Sequence, residues 1–364
     1  MNVGRLLTAG ALALLGAAGP VLSAPVSPLD DDGQPGADDP LRLAAVQSMV
    51  ARSHRFLVAQ QEADGSFSIV RNQASMSAPV AVTALTALSF MAAGHMPDPE
   101  RGLYGRSTAR AVNWLVDRCN ADGYFQSDRD EISRMHGQGY ALLALTQAYG
   151  MDTSDKRRHE RLRAAIQRGI GLIERCQGEL GGWYYDPRVM DMHEGSITVC
   201  MVQALRAARD AGFAVSGEVI EKAQFYLWLS QNPETGRFRY ARQDQRETWA
   251  LTAAALSTLN ALGDYGSERL ELGFDALMRD DPFLGSGNYE AFLQYGSLYA
   301  AQAYWHHRDA RTFHRWWEGY LSQCVDQQRA DGSFRNGEYG AVFATAITSL
   351  TLQVPLGYLP LFQK

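Results

Sequence analysis

A nine-residue segment occurs at both ends of this chain, as QQEADGSFS at 60–68 and as QQRADGSFR at 327–335. Three more segments share its pattern of a glycine closely followed by an aromatic residue. The five aromatic residues are Phe67, Phe125, Trp183, Phe238 and Phe334, which lie 58, 58, 55 and 96 residues apart. Because the last interval is nearly two periods, a degenerate unit is expected around 283–292. Six units with a period of about 50 residues are typical of a repeat architecture.

Each unit contains two apolar stretches with the 3.6-residue periodicity of helices. The stretch before the glycine turn is amphipathic, as in RLRAAIQRGIGLIERC at 161–176. The stretch after it is richer in alanine and apolar nearly all round, as in GSITVCMVQALRAARDAG at 195–212. No long alternating strand pattern competes with this interpretation. Four of the second stretches are expected to end at glycine C-caps, namely Gly94, Gly150, Gly212 and Gly263.

Six helical hairpins, each with one exposed and one buried helix, fit either an open solenoid or a closed ring. The last unit is as apolar as the others and ends TLQVPLGYLPLFQK at 351–364, whereas the end of an open solenoid needs a polar surface. The sequence therefore favours an all-α, six-hairpin α/α toroid formed as a single domain by residues 41–364. The glycine–aromatic turns are interpreted as structural, with the glycine supplying unusual backbone angles and the aromatic ring packing on the next hairpin.

The first 40 residues differ from the rest. Arg5 precedes an apolar run at 6–18 and small residues that end at Ala24, which predicts a secretory signal peptide over 1–24. Residues 25–40 are rich in Pro, Gly and Asp, and this composition predicts a disordered linker. No other apolar span of about 20 residues follows. We therefore expect a periplasmic or secreted protein with no stable membrane span after cleavage.

Charge and cysteine content exclude other classes. The net charge is −6, so nucleic acid is not an expected partner. The four cysteines form no C-x-x-C pair, and they are expected to be buried free thiols on separate helices rather than zinc ligands. They are Cys119, Cys176, Cys200 and Cys324. No cofactor is expected.

The turns FLVAQQEADGSF (56–67) and YLSQCVDQQRADGSF (320–334) resemble the Gln–Trp repeats of the squalene cyclase and protein prenyltransferase superfamily. More narrowly, the segment GGWYYDPRVMDMHEGS (181–196) and the terminal LQVPLGYLPLFQK resemble bacterial prenyltransferase/squalene oxidase repeat proteins. The resemblance covers residues 41–364. It implies the α/α six-hairpin toroid but does not imply the chemistry, because a fold does not fix function.

Two departures from that superfamily concern its chemistry. Squalene-type cyclases protonate an alkene with an Asp-x-Asp-Asp acid, whereas the nearest sequence here is DRDE at 128–131, in a loop. Asp130 is the candidate acid in that loop, with a solvated loop as the alternative. The zinc ligands of the prenyltransferases have no counterpart that the sequence identifies.

Alignment of the units by their turns places SMSAPV (75–80), RMHGQG (134–139) and DMHEGS (191–196) at equivalent positions. His136 and His193 then lie on adjacent inner helices at one mouth of the barrel.

Asp191 and Glu194 flank His193, and Glu247 precedes the next inner helix. These residues form an acid–base cluster with Asp191, His193, Glu194 and His136 as candidate catalytic groups, or hold a metal, or simply cap helices. No metal site is assigned.

Aromatic residues are concentrated in the later units and line the cavity or pack between helices. Aromatic faces in a cavity attract cations. The candidate ligand-binding residues are Glu247, Trp249, Tyr289, Tyr295 and Tyr299.

The function expected from these observations is binding of a hydrophobic, isoprenoid or lipid-like molecule in the central cavity. Two alternatives stay open: a cyclase or lyase that uses the acidic/His cluster, and a non-catalytic ring that binds an exported protein partner. The sequence does not decide whether the chain is an enzyme.

Overall fold

The computed structural model describes residues 40–68, 77–128, 134–151, 155–242, 244–284, 292–336 and 339–362. The expected signal peptide, almost all of the expected linker, Asp130 and Tyr289 lie outside these residues. The described residues form twelve α-helices and a two-stranded hairpin. They are α1 (Pro40–Ala59), α2 (Pro79–Ala92), α3 (Gly102–Arg118), α4 (Arg134–Met151), α5 (Lys156–Arg175), α6 (Gly195–Asp210), α7 (Gly217–Ser230), β1 (Arg239–Ala241), β2 (Asp244–Glu247), α8 (Trp249–Ala261), α9 (Glu268–Arg279), α10 (Leu293–Trp305), α11 (Ala310–Gln327) and α12 (Gly340–Thr351).

The even-numbered helices form a closed inner ring. Each packs against the next, and α12 packs against α2, so the first and last hairpins are neighbours. The odd-numbered helices lie outside this ring. All fourteen residues of α2 are buried, whereas α5 buries only one face. The predicted all-α toroid is therefore confirmed, with the closed ring rather than the open solenoid.

The glycine turns join neighbouring hairpins. Gly65 has φ +98°, and a Cβ there would lie 2.7 Å from the carbonyl oxygen of Arg110 on α3. Gly332 has φ +88°, and a Cβ there would lie 2.3 Å from the carbonyl oxygen of Arg52 on α1. Only glycine fits such a close approach at this backbone angle. The last turn thus closes the ring on the first helix.

The glutamine before each of these turns bonds two backbone segments at once. Gln61 Nε2 donates to the carbonyl oxygens of Gly65 (3.0 Å) and Ser107 (2.9 Å). Gln328 Nε2 donates to those of Gly332 (3.1 Å) and Met49 (2.9 Å). We call this surface, where a turn packs on the next outer helix and on the inner helix that follows the turn, the turn seam.

The turn aromatics are buried and their backbone amides are anchored to the following inner helix. The Phe67 amide donates to Thr83 Oγ1 (2.8 Å), and the Phe334 amide donates to Thr345 Oγ1 (2.9 Å). The same bond recurs in three more units, so the anchoring residues occupy equivalent positions on their helices. These residues are Thr83, Gln138, Thr198, Thr252 and Thr345.

Most of the segment at 283–292, where the spacing predicts a degenerate turn, lies outside the described residues. Its outer helices are α9 and α11, and the contact is inverted: a Cβ on Gly319 of α11 would lie 2.4 Å from the carbonyl oxygen of Phe283. A close backbone approach recurs here, with the glycine on the outer helix and the carbonyl oxygen just before the turn.

Three of the four expected C-cap glycines follow a helix end with positive φ, namely Gly94, Gly212 and Gly263. The prediction for Gly150 is wrong, because α4 continues through it to Met151.

Two further findings concern the whole described chain. The four cysteines are free, three of them buried and Cys119 half-buried. None of the described helices combines the length and the apolar character needed to cross a bilayer.

Candidate functional site

The anchoring bonds define which inner-helix positions are equivalent, and those positions converge on one cavity. The residues two positions before the five anchors all line it: Ala81, His136, Ser196, Ala250 and Phe343. They come from five of the six inner helices and lie near the start of each. The cavity therefore lies where the inner helices begin, on the side that the turns enter.

The cavity holds about 210 Å³. This volume exceeds that of an engineered cavity of about 150 Å³ that accommodates benzene. Its wall is mostly apolar, and Glu194 is the single carboxyl group among the described lining residues, which include no lysine or arginine. The remaining rings of the wall are Tyr140, Tyr185, Tyr240, Phe292, Tyr295 and Tyr339.

Glu194 caps the first turn of α6 and is fully buried. Its Oε1 accepts a hydrogen bond from the Ser196 amide (3.0 Å). Its Oε2 accepts from Ser196 Oγ (2.6 Å) and from the Ile197 amide (2.8 Å). Burial raises the pKa of Glu194 to about 7, and these hydrogen bonds to the charged form oppose that rise. The carboxyl group therefore gains or loses its proton close to neutral pH.

Ser196 connects this carboxyl group to His136. The Ser196 Oγ lies 3.1 Å from His136 Nε2, across the interface between α6 and α4. Burial lowers the pKa of His136 to about 4, so the imidazole is neutral at pH 7. Carboxyl, hydroxyl and neutral imidazole thus form one hydrogen-bonded row on the cavity wall.

Two tyrosines and an arginine lie at the edge of the same wall. The hydroxyl groups of Tyr185 and Tyr240 are hydrogen-bonded to each other. The Arg246 guanidinium lies 4.6 Å from the centre of the Tyr240 ring and pairs with Asp244 at 2.5 Å. Burial, and then the charge of Glu194, raises the pKa of both tyrosines, so their hydroxyl groups stay protonated.

The expected cluster of Asp191, His193 and Glu194 does not come together in the cavity. His193 is buried in the turn seam, with Nε2 3.1 Å from the Met190 carbonyl oxygen and its ring edge-on to Tyr226. Asp191 is exposed. Only Glu194 of the three reaches the cavity, where His136 is its neighbour through Ser196.

The error has a specific cause in the register of the repeats. The aromatic and its anchor are 13 residues apart in the second unit, from Phe125 to Gln138, but 15 apart in the third, from Trp183 to Thr198. Loops of different length separate the turn from the inner helix. Alignment by residue type therefore matched His136 to His193. The structural equivalent of His136 is Ser196, three residues after His193.

The expected ligand-binding residues are divided. Tyr295 lines the cavity, and Tyr299 lies behind it, with the ring centres 4.7 Å apart. Glu247 is directed to a turn, where it accepts hydrogen bonds from Asn232 Nδ2 (2.6 Å) and Thr235 Oγ1 (2.9 Å). The expected cavity role of Glu247 is therefore wrong.

Trp249 is also a packing residue rather than a cavity residue. It is buried, and its Nε1 donates to Asp281 Oδ2 (3.1 Å). A Cβ on Gly296 would lie 2.4 Å from the Trp249 ring, so the ring fills the space between α8 and α10. Within the part of the chain that the structure describes, no three His, Cys, Asp or Glu side chains are grouped as metal ligands.

Sequence reasoning missed Ser196, Tyr185 and Tyr240. The signal for Ser196 was the recurring threonine or glutamine anchor two residues later on the inner helix. Tyr185 follows Trp183 by two residues, as Tyr240 follows Phe238. Both tyrosines lie just after a turn aromatic, where the chain passes from the seam to the cavity wall.

Comparison with known proteins gives structural likeness alone. No protein-family model and no curated protein sequence matches the chain. Among solved structures, the type II terpene cyclase MstE from Scytonema matches with a TM-score of 0.57 and 15% identity, covering 87% of this chain and 100% of that one. A glycosidase variant in complex with glucose matches with a TM-score of 0.58 and 16% identity, covering 88% and 100%.

The chain has the terpenoid cyclase-like α/α toroid fold. Its neighbours on that fold include a cyclase and a glycosidase, which carry out different reactions. At these identities the likeness shows the fold, and the function has to be inferred from the cavity of this toroid.

Proposed function

We propose that this toroid binds a small hydrophobic molecule in the cavity at the start of its inner helices, and that the protein is exported. The observation that carries the first part is the cavity itself, a space of about 210 Å³ with a mostly apolar and aromatic wall. Concave apolar sites with a few convergent polar groups are the usual form of small-molecule sites.

The polar groups of the cavity are unevenly distributed. Glu194, Ser196 and His136 form one row, while the remainder of the wall is mostly apolar and aromatic, with Thr248 and tyrosine hydroxyl groups as its other polar groups. A ligand with one polar end and an apolar body matches this division. The volume is below the roughly 300–1,000 Å³ of drug-sized sites, so the enclosed part of the ligand is small.

Filling the cavity tests this proposal. Ala81→Leu on α2 places three more carbon atoms in the cavity, whereas Ala93→Leu lies at the other end of the same helix and is half-buried. Octanol binding is measured by calorimetry, with thermal unfolding as the check on folding. We expect Ala81→Leu to weaken binding about tenfold or more, because the lost apolar contact and the new steric conflict each cost about 1 kcal/mol or more.

Ala93→Leu is expected to bind octanol as the unchanged protein does. Equal binding by both variants would place the ligand elsewhere. Absence of octanol binding in every form would favour the alternative of a ring that binds an exported protein.

One observation favours a second candidate, an acid–base enzyme such as a cyclase or lyase. Glu194 has a pKa of about 7 and lies in the cavity wall, so it can both donate and accept a proton at neutral pH. Glu194→Gln keeps the shape and removes the acid. Turnover of any substrate found would fall about 10²- to 10⁴-fold if Glu194 is the general acid. Unchanged turnover would remove this candidate.

Export rests on Arg5, the apolar run at 6–18 and the small residues ending at Ala24. N-terminal sequencing of the native protein is expected to begin near Pro25, in a fraction outside the cytoplasm. A retained Met1 in the cytosolic fraction would contradict it.

A further inference from the structure

We propose that the polar end of the ligand is a cationic amine, which lies beside Glu194 with its apolar part among the aromatic rings. This inference rests on the proposed function and specifies the ligand class for the same cavity. It follows from the charges and rings around Glu194.

The first observation is a buried acid without a matching base. The described residues that line the cavity include one carboxyl group and no lysine or arginine. His136 is the remaining basic side chain of the wall, and its lowered pKa keeps it neutral. A buried carboxylate is costly unless a cation compensates it. A bound ammonium group would supply that charge.

Arg246 does not supply it. Its charge lowers the pKa of Glu194 somewhat, but its guanidinium is mostly exposed. It forms two hydrogen bonds to Asp244 Oδ2, at 2.7 Å from Nε and 2.5 Å from Nη2. Because the Asp244 charge offsets it and solvent screens it, Arg246 leaves the buried carboxyl group largely uncompensated.

The other titratable groups around Glu194 add no second negative charge at neutral pH. They are hydroxyl and thiol groups from α6, α7, α10, the loop before α6 and the β1–β2 hairpin. Burial and the charge of Glu194 both raise their pKa values, so they stay neutral. These groups are Tyr185, Cys200, Tyr226, Tyr240 and Tyr295.

The second observation is the hydrogen-bonding geometry of the acid. Glu194 Oε2 accepts two hydrogen bonds, from Ser196 Oγ and from the Ile197 amide, whereas Oε1 accepts one from the Ser196 amide. Each carboxylate oxygen has two lone pairs. Oε1 therefore keeps acceptor capacity for a donor such as an ammonium group.

The third observation is the aromatic wall. Seven tyrosine and phenylalanine residues line the cavity, and Tyr295 stands edge-on to His136 with ring centres 6.5 Å apart. Aromatic faces attract a cation, and the attraction is stronger where water is excluded. A neutral apolar ligand would gain the contact area of these rings but not this attraction.

The pH dependence follows with a definite sign. Glu194 loses its proton as pH rises through about 7. An alkylamine, with a pKa like that of lysine near 10.4, stays charged throughout this window. Amine affinity is therefore highest above pH 7 and falls up to about tenfold for each pH unit below it. Affinity for a neutral alcohol of the same length should change little.

Octylamine and octanol form the matched pair of probes, because they share the apolar chain and differ in the charged group. Binding of each is measured by calorimetry at pH 8.5 and pH 5.5 to the unchanged protein, to Glu194→Gln and to Glu221→Gln. Glu221 is an exposed acid on α7, so its variant controls for the loss of one negative charge.

At pH 8.5 we expect octylamine to bind the unchanged protein about 10- to 100-fold more tightly than octanol, as for a hydrogen-bonded charge. Glu194→Gln should abolish the difference, and Glu221→Gln should keep it. If octanol binds as tightly as octylamine, the inference that the ligand is an amine is wrong, while the proposed apolar binding site stands. Failure of both probes to bind the unchanged protein would overturn the proposed function as well.

Should Glu194→Gln fail to fold, the unchanged protein still decides the question. Octylamine affinity that is equal at pH 5.5 and 8.5 would overturn the inference without any variant.

Discussion

The turn seam and the cavity wall are built from the same repeat, but the seam residues recur from unit to unit whereas the wall residues differ. In the seam, the same bond recurs in five units: an aromatic amide donates to a threonine or glutamine on the next inner helix. Two residues away on the cavity wall, the five equivalent positions carry two alanines, a histidine, a serine and a phenylalanine. Residues that recur between units therefore identify the contacts that stabilise the ring, and residues that differ between units identify the candidate site.

The two regions also differ in energetic terms. The aromatic rings of the seam are buried, and the backbone amides of these aromatics and the seam glutamines are hydrogen-bonded, so their loss leaves cavities or unpaired amides that cost stability. Ser196 and His136 are only half-buried and line the cavity, where water can replace a lost hydrogen bond. Changes in the seam should act on folding, and changes in the wall should act on binding.

The largest effect is expected from the seam aromatics. Phe67 and Phe334 are 0% and 3% exposed, and they occupy equivalent turns at opposite ends of the chain. Phe67→Ala and Phe334→Ala should each lower the free energy of unfolding by about 3–5 kcal/mol, because each leaves a cavity between hairpins. Urea denaturation of both variants measures this.

Phe225→Ala is the matched control, because Phe225 is 59% exposed on α7. Its effect should stay within about 0.5 kcal/mol. A fully stable Phe67→Ala or Phe334→Ala that has lost ligand binding would instead make the turn part of the site.

This division explains why the fold was predictable from the sequence. Glycine, glutamine and aromatic residues recur at the turns because each has one structural task that no other residue type performs as well. Gly65 and Gly332 tolerate positive φ beside a backbone carbonyl, and Gln61 and Gln328 bond two segments at once. Five recurrences and one double interval were enough to place six hairpins, including the degenerate one. Ring closure followed from the apolar last unit.

The site was less predictable, because it depends on register. The loop from turn to inner helix is two residues longer in the third unit than in the second, and the match of the two Met-His pairs adds one more residue of offset. Ser196 therefore lies on the wall at the position of His136, while His193 lies in the seam. The residue types at the start of the inner helix do not reveal this difference in loop length. The roles of Glu247 and Trp249 could not be read from position either, since each finds its partner in another segment, at Asn232 and Asp281.

A smaller effect should separate two neighbours on α6. Thr198 Oγ1 accepts a hydrogen bond from the buried Trp183 amide (3.2 Å) and donates one to the Glu194 backbone carbonyl (2.8 Å), whereas Ser196 Oγ bonds the Glu194 carboxyl group and His136 on the cavity wall. Thr198→Val keeps the shape and leaves that amide unpaired, which should cost about 1–3 kcal/mol of stability. Ser196→Ala should cost about 1 kcal/mol or less. Thermal and urea unfolding of the two variants compare them.

The same two variants should rank in the opposite order in binding. The hydrogen bond from Ser196 favours the charged form of Glu194 and so lowers its pKa. Without it, the pKa rises above 7, and the pH at which octylamine affinity increases should rise with it. Thr198→Val should leave that midpoint in place. If Ser196→Ala loses more stability than Thr198→Val and does not shift the pH midpoint of octylamine binding, the proposed distinction between seam and wall is wrong.

The smallest effect on binding is expected at His193, where the register error is tested directly. His193 Nε2 lies 3.1 Å from the Met190 carbonyl oxygen and its ring is edge-on to Tyr226, and His193 is not one of the residues that line the cavity. His193→Gln keeps a donor for Met190 and should change octanol affinity by less than about 0.5 kcal/mol. His136→Gln removes a ring that lines the cavity and the partner of Ser196, and it should weaken binding by about 1 kcal/mol, roughly fivefold. Calorimetry on both variants, with unfolding curves to show that each is folded, makes the comparison. If both variants lose the same octanol affinity, His193 contributes to the cavity wall, as the sequence alignment predicts.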